Sequence, residues 1–190
     1  MIMREPVRVG IVVGSTRPQR KGVAVAQWIQ SIAGGRATEI YEIVDIADFD
    51  LPLLDEPFPP ASGRRERLHT LRWAAAIEVF DAFVFVTPEY NHSISAALKN
   101  AVDYLHQEWV DKAVAFVSYG ADGGVRAVEH LRQIAGELQL ADIRRSVSLS
   151  FANDFENYTT FTPRADREEA VTLMLDDLAR WAQALKPLRP

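Results

Sequence analysis

The 190-residue chain contains no cysteine. That absence removes disulfides, thiolate nucleophiles, iron–sulfur ligation and cysteine-based zinc sites together, and it fits a reducing compartment. An excess of positive charge is also missing. The formal net charge is −5, whereas a nucleic-acid-binding protein is expected to present a basic face. No apolar stretch approaches the length of a membrane span. The opening MIMREP leads almost directly into an apolar run too short and wrongly flanked for a signal peptide. A cytoplasmic protein with no membrane or nucleic-acid partner is therefore expected. His69, His92, His106 and His130 fall in no metal-ligand spacing, so no metal site is expected. No serine lies in a GxSxG elbow, which leaves a hydrolase triad without support. Repeats and interdomain linkers are absent as well, and residues 1–190 are expected to form one domain.

What the chain does have is concentrated near its start. Residues 7–13 are an almost wholly apolar run, long enough for a strand buried on both faces and too short for a helix. The run breaks into Gly14-Ser15-Thr16-Arg17-Pro18-Gln19-Arg20-Lys21-Gly22, with three cations and no acid. Residues 1–35 carry a net charge of +4, so the remainder carries −9 and the basic loop is a local device on an acidic chain. A buried strand, a basic loop and a following helix together present an anion to helix amides, with Arg17, Arg20 and Lys21 at hand. The Walker pattern GxxxxGK[ST] and the dinucleotide pattern GxGxxG are both absent from this loop. A phosphate ligand fits; a Rossmann-bound dinucleotide does not. A solvated surface loop is the alternative.

Further along, strand and helix alternate. Strands are expected near residues 38–45, 82–86, 113–117 and 143–149, the last an edge strand, and helices over 22–33, 64–79, 94–105, 125–138 and 167–185. Residues 51–60 are proline-rich and read as a loop at the sheet edge, and 153–163 as a polar and aromatic loop of unassigned role. The pattern predicts a doubly wound parallel α/β sheet of five strands with helices on both faces. Ligands of such sheets sit outside the carboxyl ends of the strands, which singles out residues 14–22, 87–92 and 118–124. In the second of these, Pro88 directs the chain out of the sheet. The amides of Glu89, Tyr90 and Asn91 then lack an obvious ladder partner. A flat heterocycle with carbonyl and imide edges would satisfy them, with Tyr90 to stack; a turn in which Asn91 or Ser93 caps the next helix is the alternative. The third loop, SYGADGG, allows close backbone approach to a ligand. Trp28, Trp73 and Trp181 occupy helical positions and read as packing residues. The apolar faces of 94–105 and 125–138 serve either a homodimer interface or packing on the sheet.

GSTRPQRKG after the first strand and TPEYNHSISAALKNAVDYL after the third resemble the NADPH-dependent FMN reductase family of flavodoxin-like proteins, which includes quinone, azo and chromate reductases. LPLLDEP and SYGADGGVRAVEHLRQIAGEL extend the resemblance over residues 7–150. Ser95-Ala96 and Tyr104 stand where relatives often carry Pro-Gly and Trp. The resemblance implies that Ser15, Arg17, Arg20, Lys21 and Gly22 hold the FMN phosphate. It implies that Pro88, Glu89, Tyr90 and Asn91 line the isoalloxazine, with Ser118, Gly120 and their neighbours closing the far side. It further implies an FMN-dependent NAD(P)H oxidoreductase: hydride passes from NADPH or NADH through FMN N5 to a quinone, azo compound, flavin or metal oxyanion, with no side chain required as proton donor. Glu89 is expected to act through its backbone, His92 is a candidate substrate contact, and Trp109 a candidate cover for a neighbouring subunit's flavin. A homodimer or dimer of dimers is expected. A flavodoxin-type electron carrier or a flavin-binding sensor is the alternative.

Overall fold

The structure, a computed structural model, describes residues 5–189. Residues 1–4, on which the reading of the chain start partly rests, lie outside the described residues, as does residue 190. Five parallel strands form one sheet in the order β2-β1-β3-β4-β5. They are β1 (Val7–Val13), β2 (Glu39–Asp45), β3 (Ala82–Pro88), β4 (Ala113–Gly120) and β5 (Ala141–Ser150). This is the flavodoxin-like doubly wound order. Central strands β3 and β4 are buried at every residue, as strands covered on both faces must be.

Period-two alternation sorts their side chains between two cores. Val84, Val86, Ala115 and Val117 pack beneath α1 (Gly22–Ala33) and α6 (Asp166–Leu185). Phe83, Phe85, Val114 and Phe116 pack beneath α2 (Leu68–Glu78), α3 (Ala96–Asp103) and α4 (Val125–Glu137). The apolar residues of α3 and α4, including Leu98, Val102, Val128 and Leu131, belong to that second core. The buried residues of both faces thus pack on the sheet, one of the two roles expected of them. Among the described residues no helix is long and apolar enough to cross a membrane.

Several boundaries differ from expectation, each for a local reason. α2 starts at Leu68 rather than at residue 64, because the Glu56 carboxylate accepts from the amides of Glu66 and Arg67 at 3.0 Å and holds that segment outside the helix. α3 starts at Ala96, and its cap is neither Asn91 nor Ser93 but Ser95, whose Oγ accepts from Leu98 N at 3.0 Å. Residues 51–60 do not simply border the sheet. Asn100 and Tyr104 of the α3 segment bind the carbonyl of Pro52, and Tyr104 also donates to Asp55 at 3.0 Å, so the loop is laced onto α3. Trp181 is 42% exposed rather than packed. The segment 153–163 is not a plain loop: a helical turn α5 (Phe151–Asp154) leads into an antiparallel hairpin, β6 (Phe155–Glu156) and β7 (Thr160–Phe161).

At the amino end of the sheet, Lys112 is buried, with Nζ donating to the carbonyls of Ile77 at 3.3 Å and Glu78 at 3.0 Å. Burial, reinforced by Arg189, pulls its ammonium down to about 8. The unfolded chain therefore holds this proton more tightly, and the destabilisation is at full size below about pH 8 and relieved as pH rises towards 10. Urea denaturation is expected to show stability climbing by about 2–3 kcal/mol across that window. Lys112→Met should flatten the climb; an unchanged slope would refute the assignment.

Candidate functional site

The carboxyl ends of β1, β3 and β4 converge, and the loops leaving them are tied together. Ser15 is buried, and its Oγ lies 3.0 Å from the Tyr90 hydroxyl, joining the β1 loop to the β3 loop. Ser95 Oγ also donates to the Gly14 carbonyl, locking the start of α3 under the β1 loop. Gly14 is required there, since a Cβ would stand 2.9 Å from the Val86 carbonyl oxygen.

The β1 loop turns at Arg17-Pro18-Gln19-Arg20: Arg20 N donates to Arg17 O at 3.1 Å, and Gln19 is left-handed with φ 58°. Proline at the second position and positive φ at the third are the features of a type II turn. The loop delivers the chain to α1, whose N-cap Lys21 makes no side-chain cap and whose first turn holds no acid. Among the described residues no side chain caps the first turn of α1, which suits an anionic acceptor there.

The three cations of the loop are not equivalent. Arg20 forms an ion pair with Asp45 at the end of β2, which offsets its charge, while its Nε is buried with no partner among the described residues. Arg17 and Lys21 form no ion pair among the described residues, so theirs is the uncompensated positive charge.

One cleft of about 450 Å³ is lined by Arg17, Arg20, Lys21, Pro88, Glu89 and Tyr90, with Pro18, Gln19, Tyr119, Phe151, Tyr158 and Thr159 completing the wall. That volume falls in the range of small-molecule sites. Tyr119 Oη is buried without a partner among the described residues. Burial, with Tyr90 alongside, pushes this phenol well up, so it stays a neutral donor. A Cβ on Gly22 would stand 3.1 Å from that hydroxyl, and glycine keeps the approach open.

The remaining expected site residues lie around this cleft. Ser118 is fully buried and donates to the Gly123 carbonyl at 2.7 Å, so its hydroxyl shapes the β4 loop from within. Gly120 abuts Glu89, whose Cβ is 3.4 Å from where a Gly120 Cβ would be. Two of the three amides expected to be free are engaged: Glu89 N donates to Tyr119 O at 3.0 Å and Tyr90 N to Ser93 O at 2.9 Å. The Glu89 carboxylate accepts from Arg126 N at 3.1 Å and pairs with its guanidinium, an arrangement that leaves no free general base. Asn91 and His92 occupy an exposed turn with φ 48° and 74°, at the rim rather than in the wall. Trp109 is buried, with Nε1 donating to the Val102 carbonyl at 3.1 Å, and cannot cover a second subunit's ligand. Phe151, Tyr158 and Thr159 escaped the sequence reading. Tyr158 and Thr159 had only the aromatic character of 153–163, a segment with no assigned role, and Phe151 lay outside it.

The model of the NADPH-dependent FMN reductase family matches residues 7–154. The chain belongs to that family. An NAD(P)H-dependent FMN reductase of a Nectria species is 40% identical over 132 residues, 66% of this chain and 66% of the relative. A quinone reductase of Escherichia coli is 36% identical over 138 residues, 70% of this chain and 71% of the relative. The matched stretch thus spans about two-thirds of each of these two relatives. Among solved structures, FerB, a flavoenzyme NAD(P)H:(acceptor) oxidoreductase of Paracoccus denitrificans, superposes with a TM-score of 0.68 at 21% identity, over 94% of this chain and 98% of that one. That similarity establishes the fold.

Proposed function

We propose that the chain is an FMN-dependent oxidoreductase that draws on NADPH or NADH and delivers electrons to a small acceptor. The observation that carries this reading is the Ser15–Tyr90 contact at 3.0 Å, which makes the basic loop and the PEYN loop two ends of one cleft. The residues fit FMN on their own chemistry. Uncompensated Arg17 and Lys21, the uncapped first turn of α1 and the unpartnered Tyr119 hydroxyl suit a phosphate, and the glycine at position 22 leaves room for it.

In this reading Ser15, Arg17, Arg20, Lys21 and Gly22 form the phosphate end. Pro88, Glu89 and Tyr90 form the ring end, Ser118 and Gly120 set the wall behind it, and Asn91 and His92 flank the mouth where an acceptor enters. When bound, FMN would supply the redox chemistry between NAD(P)H and a quinone, azo compound, flavin or metal oxyanion. The protein positions it. Arg126 holds the Glu89 carboxylate, so the ring end presents backbone of fixed direction. Arg20 and Asp45 fix the shape of the phosphate loop. The reductase names of the relatives favour turnover of NAD(P)H over simple electron carriage.

The same proposal takes the 190 residues as one FMN-binding unit acting in the cytoplasm, the compartment suggested by the lack of cysteine. It also includes a homodimer or dimer of dimers, supported by the open groove between α3 and α4 where Ile94, Ile134 and Leu138 come together. The test is an absorbance spectrum of the FMN-loaded protein. Anaerobic NADPH is expected to bleach the visible flavin bands, and added quinone to restore them. Bands that persist under both NADPH and NADH, or a protein that takes up no FMN, would sink the proposal.

A further inference from the structure

We infer that the β6–β7 hairpin is part of the cofactor site, with Tyr158 at its tip donating its hydroxyl to the phosphate of bound FMN. The inference rests on the FMN reading above and adds to it a residue outside the stretch, 7–154, that the family model matches. Tyr158 and Thr159 line the same cleft as Arg17, Arg20 and Lys21.

The base of the hairpin is fixed to the two elements that carry the phosphate end. Phe161 of β7 packs edge-on against Trp28 of α1, ring centroids 5.3 Å apart, and Phe155 of β6 lies 6.3 Å from the Tyr119 ring at the end of β4. Phe155 and Phe161 also pack on each other at 5.2 Å. Beneath them, fully buried Asp154 accepts from Ser150 N at 2.9 Å and pairs with Arg167 at 3.3 Å. The tip therefore rises beside the start of α1, on a base that cannot swing freely.

The turn itself is built against local preference. Thr159 N donates to Glu156 O at 3.0 Å, and the two residues between, Asn157 and Tyr158, both have positive φ, 49° and 58°. This is a type I′ turn, in which asparagine suits the first position and glycine is usual at the second. A bulky aromatic residue in the left-handed region is disfavoured, and such outliers gather at ligand sites. Tyr158 is also 68% exposed, so no packing contact explains it. Thr159 is less suited to the role, since its Oγ1 already donates to the Glu156 carbonyl at 3.3 Å.

The test compares FMN with riboflavin, which lacks the phosphate, by fluorescence titration of the cofactor-free full-length protein, alongside thermal melts. In Tyr158→Phe, FMN affinity is expected to fall about tenfold, the scale of one hydrogen bond to a charged group, with riboflavin affinity and melting temperature unchanged. Tyr158→Gly relieves the turn: its melting temperature should rise by a few degrees while FMN binding still weakens, a combination that a purely structural role does not give. An unchanged FMN-to-riboflavin ratio in Tyr158→Phe overturns the inference. Equal loss of both flavins in Tyr158→Gly places the tyrosine on the ring and also overturns it. Failure of the wild-type protein to prefer FMN over riboflavin would instead remove the reading on which the inference stands.

Discussion

Replacing Asp154 by alanine is expected to cost about 3–5 kcal/mol of folding stability, the range for removing one partner of a buried ion pair. The carboxylate is completely inaccessible and serves several donors: Ser150 N at 2.9 Å, Arg164 N at 3.3 Å, Arg167 Nε at 3.3 Å and the Arg164 guanidinium at 3.8 Å. Alanine leaves two backbone amides and two guanidinium groups without this acceptor at the junction of β5, the hairpin and α6. The arginines are partly exposed, Arg164 at 46% and Arg167 at 22% of their side-chain surface, so water recovers part of their loss and the lower end of the range applies. Against a typical total of about 5–15 kcal/mol, this is a large fraction. For a chain of this length it corresponds to a fall in melting temperature of about 10 °C. Asp154→Asn keeps an acceptor and should lose about half as much. A melt of Asp154→Ala within a degree or two of wild type would show that the hairpin is not clamped from below.

The parts of the fold legible in the sequence are those decided by composition alone. β1, β3 and β4 are continuous apolar runs because helices cover both faces of the sheet, and no other short element has that signature. What stayed hidden was decided by contacts between distant residues. Glu56 reaches forward about ten residues to hold the segment before α2 out of the helix, and no local pattern at 64–67 announces it. The hairpin was invisible because FENYTTF contains no glycine; its turn places Asn157 and Tyr158 at positive φ, which the residue types there do not announce. The candidate site divides in the same way. Three cations in one loop can be read from the letters, but that Asp45 offsets one of them cannot. Glu89 is visible as an acid, whereas its capture by Arg126 depends on the way α4 packs beside the β3 loop. Trp109 reads as a candidate cover because an aromatic residue past a helix end carries no sign of whether it turns inward.

The unequal cations lead to the largest expected functional effect. The double variant Arg17→Ala, Lys21→Ala should weaken FMN binding by about 10²- to 10⁴-fold, since each hydrogen bond to a charged group contributes about 1.5–3 kcal/mol. Both side chains border the cleft and neither has an ion-pair partner among the described residues, so their removal strands no acid and the fold should melt unchanged. Arg20→Ala is the contrast. Its charge is already balanced by Asp45, so the field at the phosphate should change less than in either single variant, while the loop and the end of β2 lose their tie and stability drops. Titrations at two salt concentrations separate attraction from shape. Wild-type affinity should fall as salt screens the loop cations, and the double variant should lose most of that dependence. Riboflavin binding should be indifferent to both salt and the double substitution. If the double variant bound FMN as tightly as wild type, the basic loop would not be the phosphate end, and the assignment of the cleft would have to be reversed or abandoned.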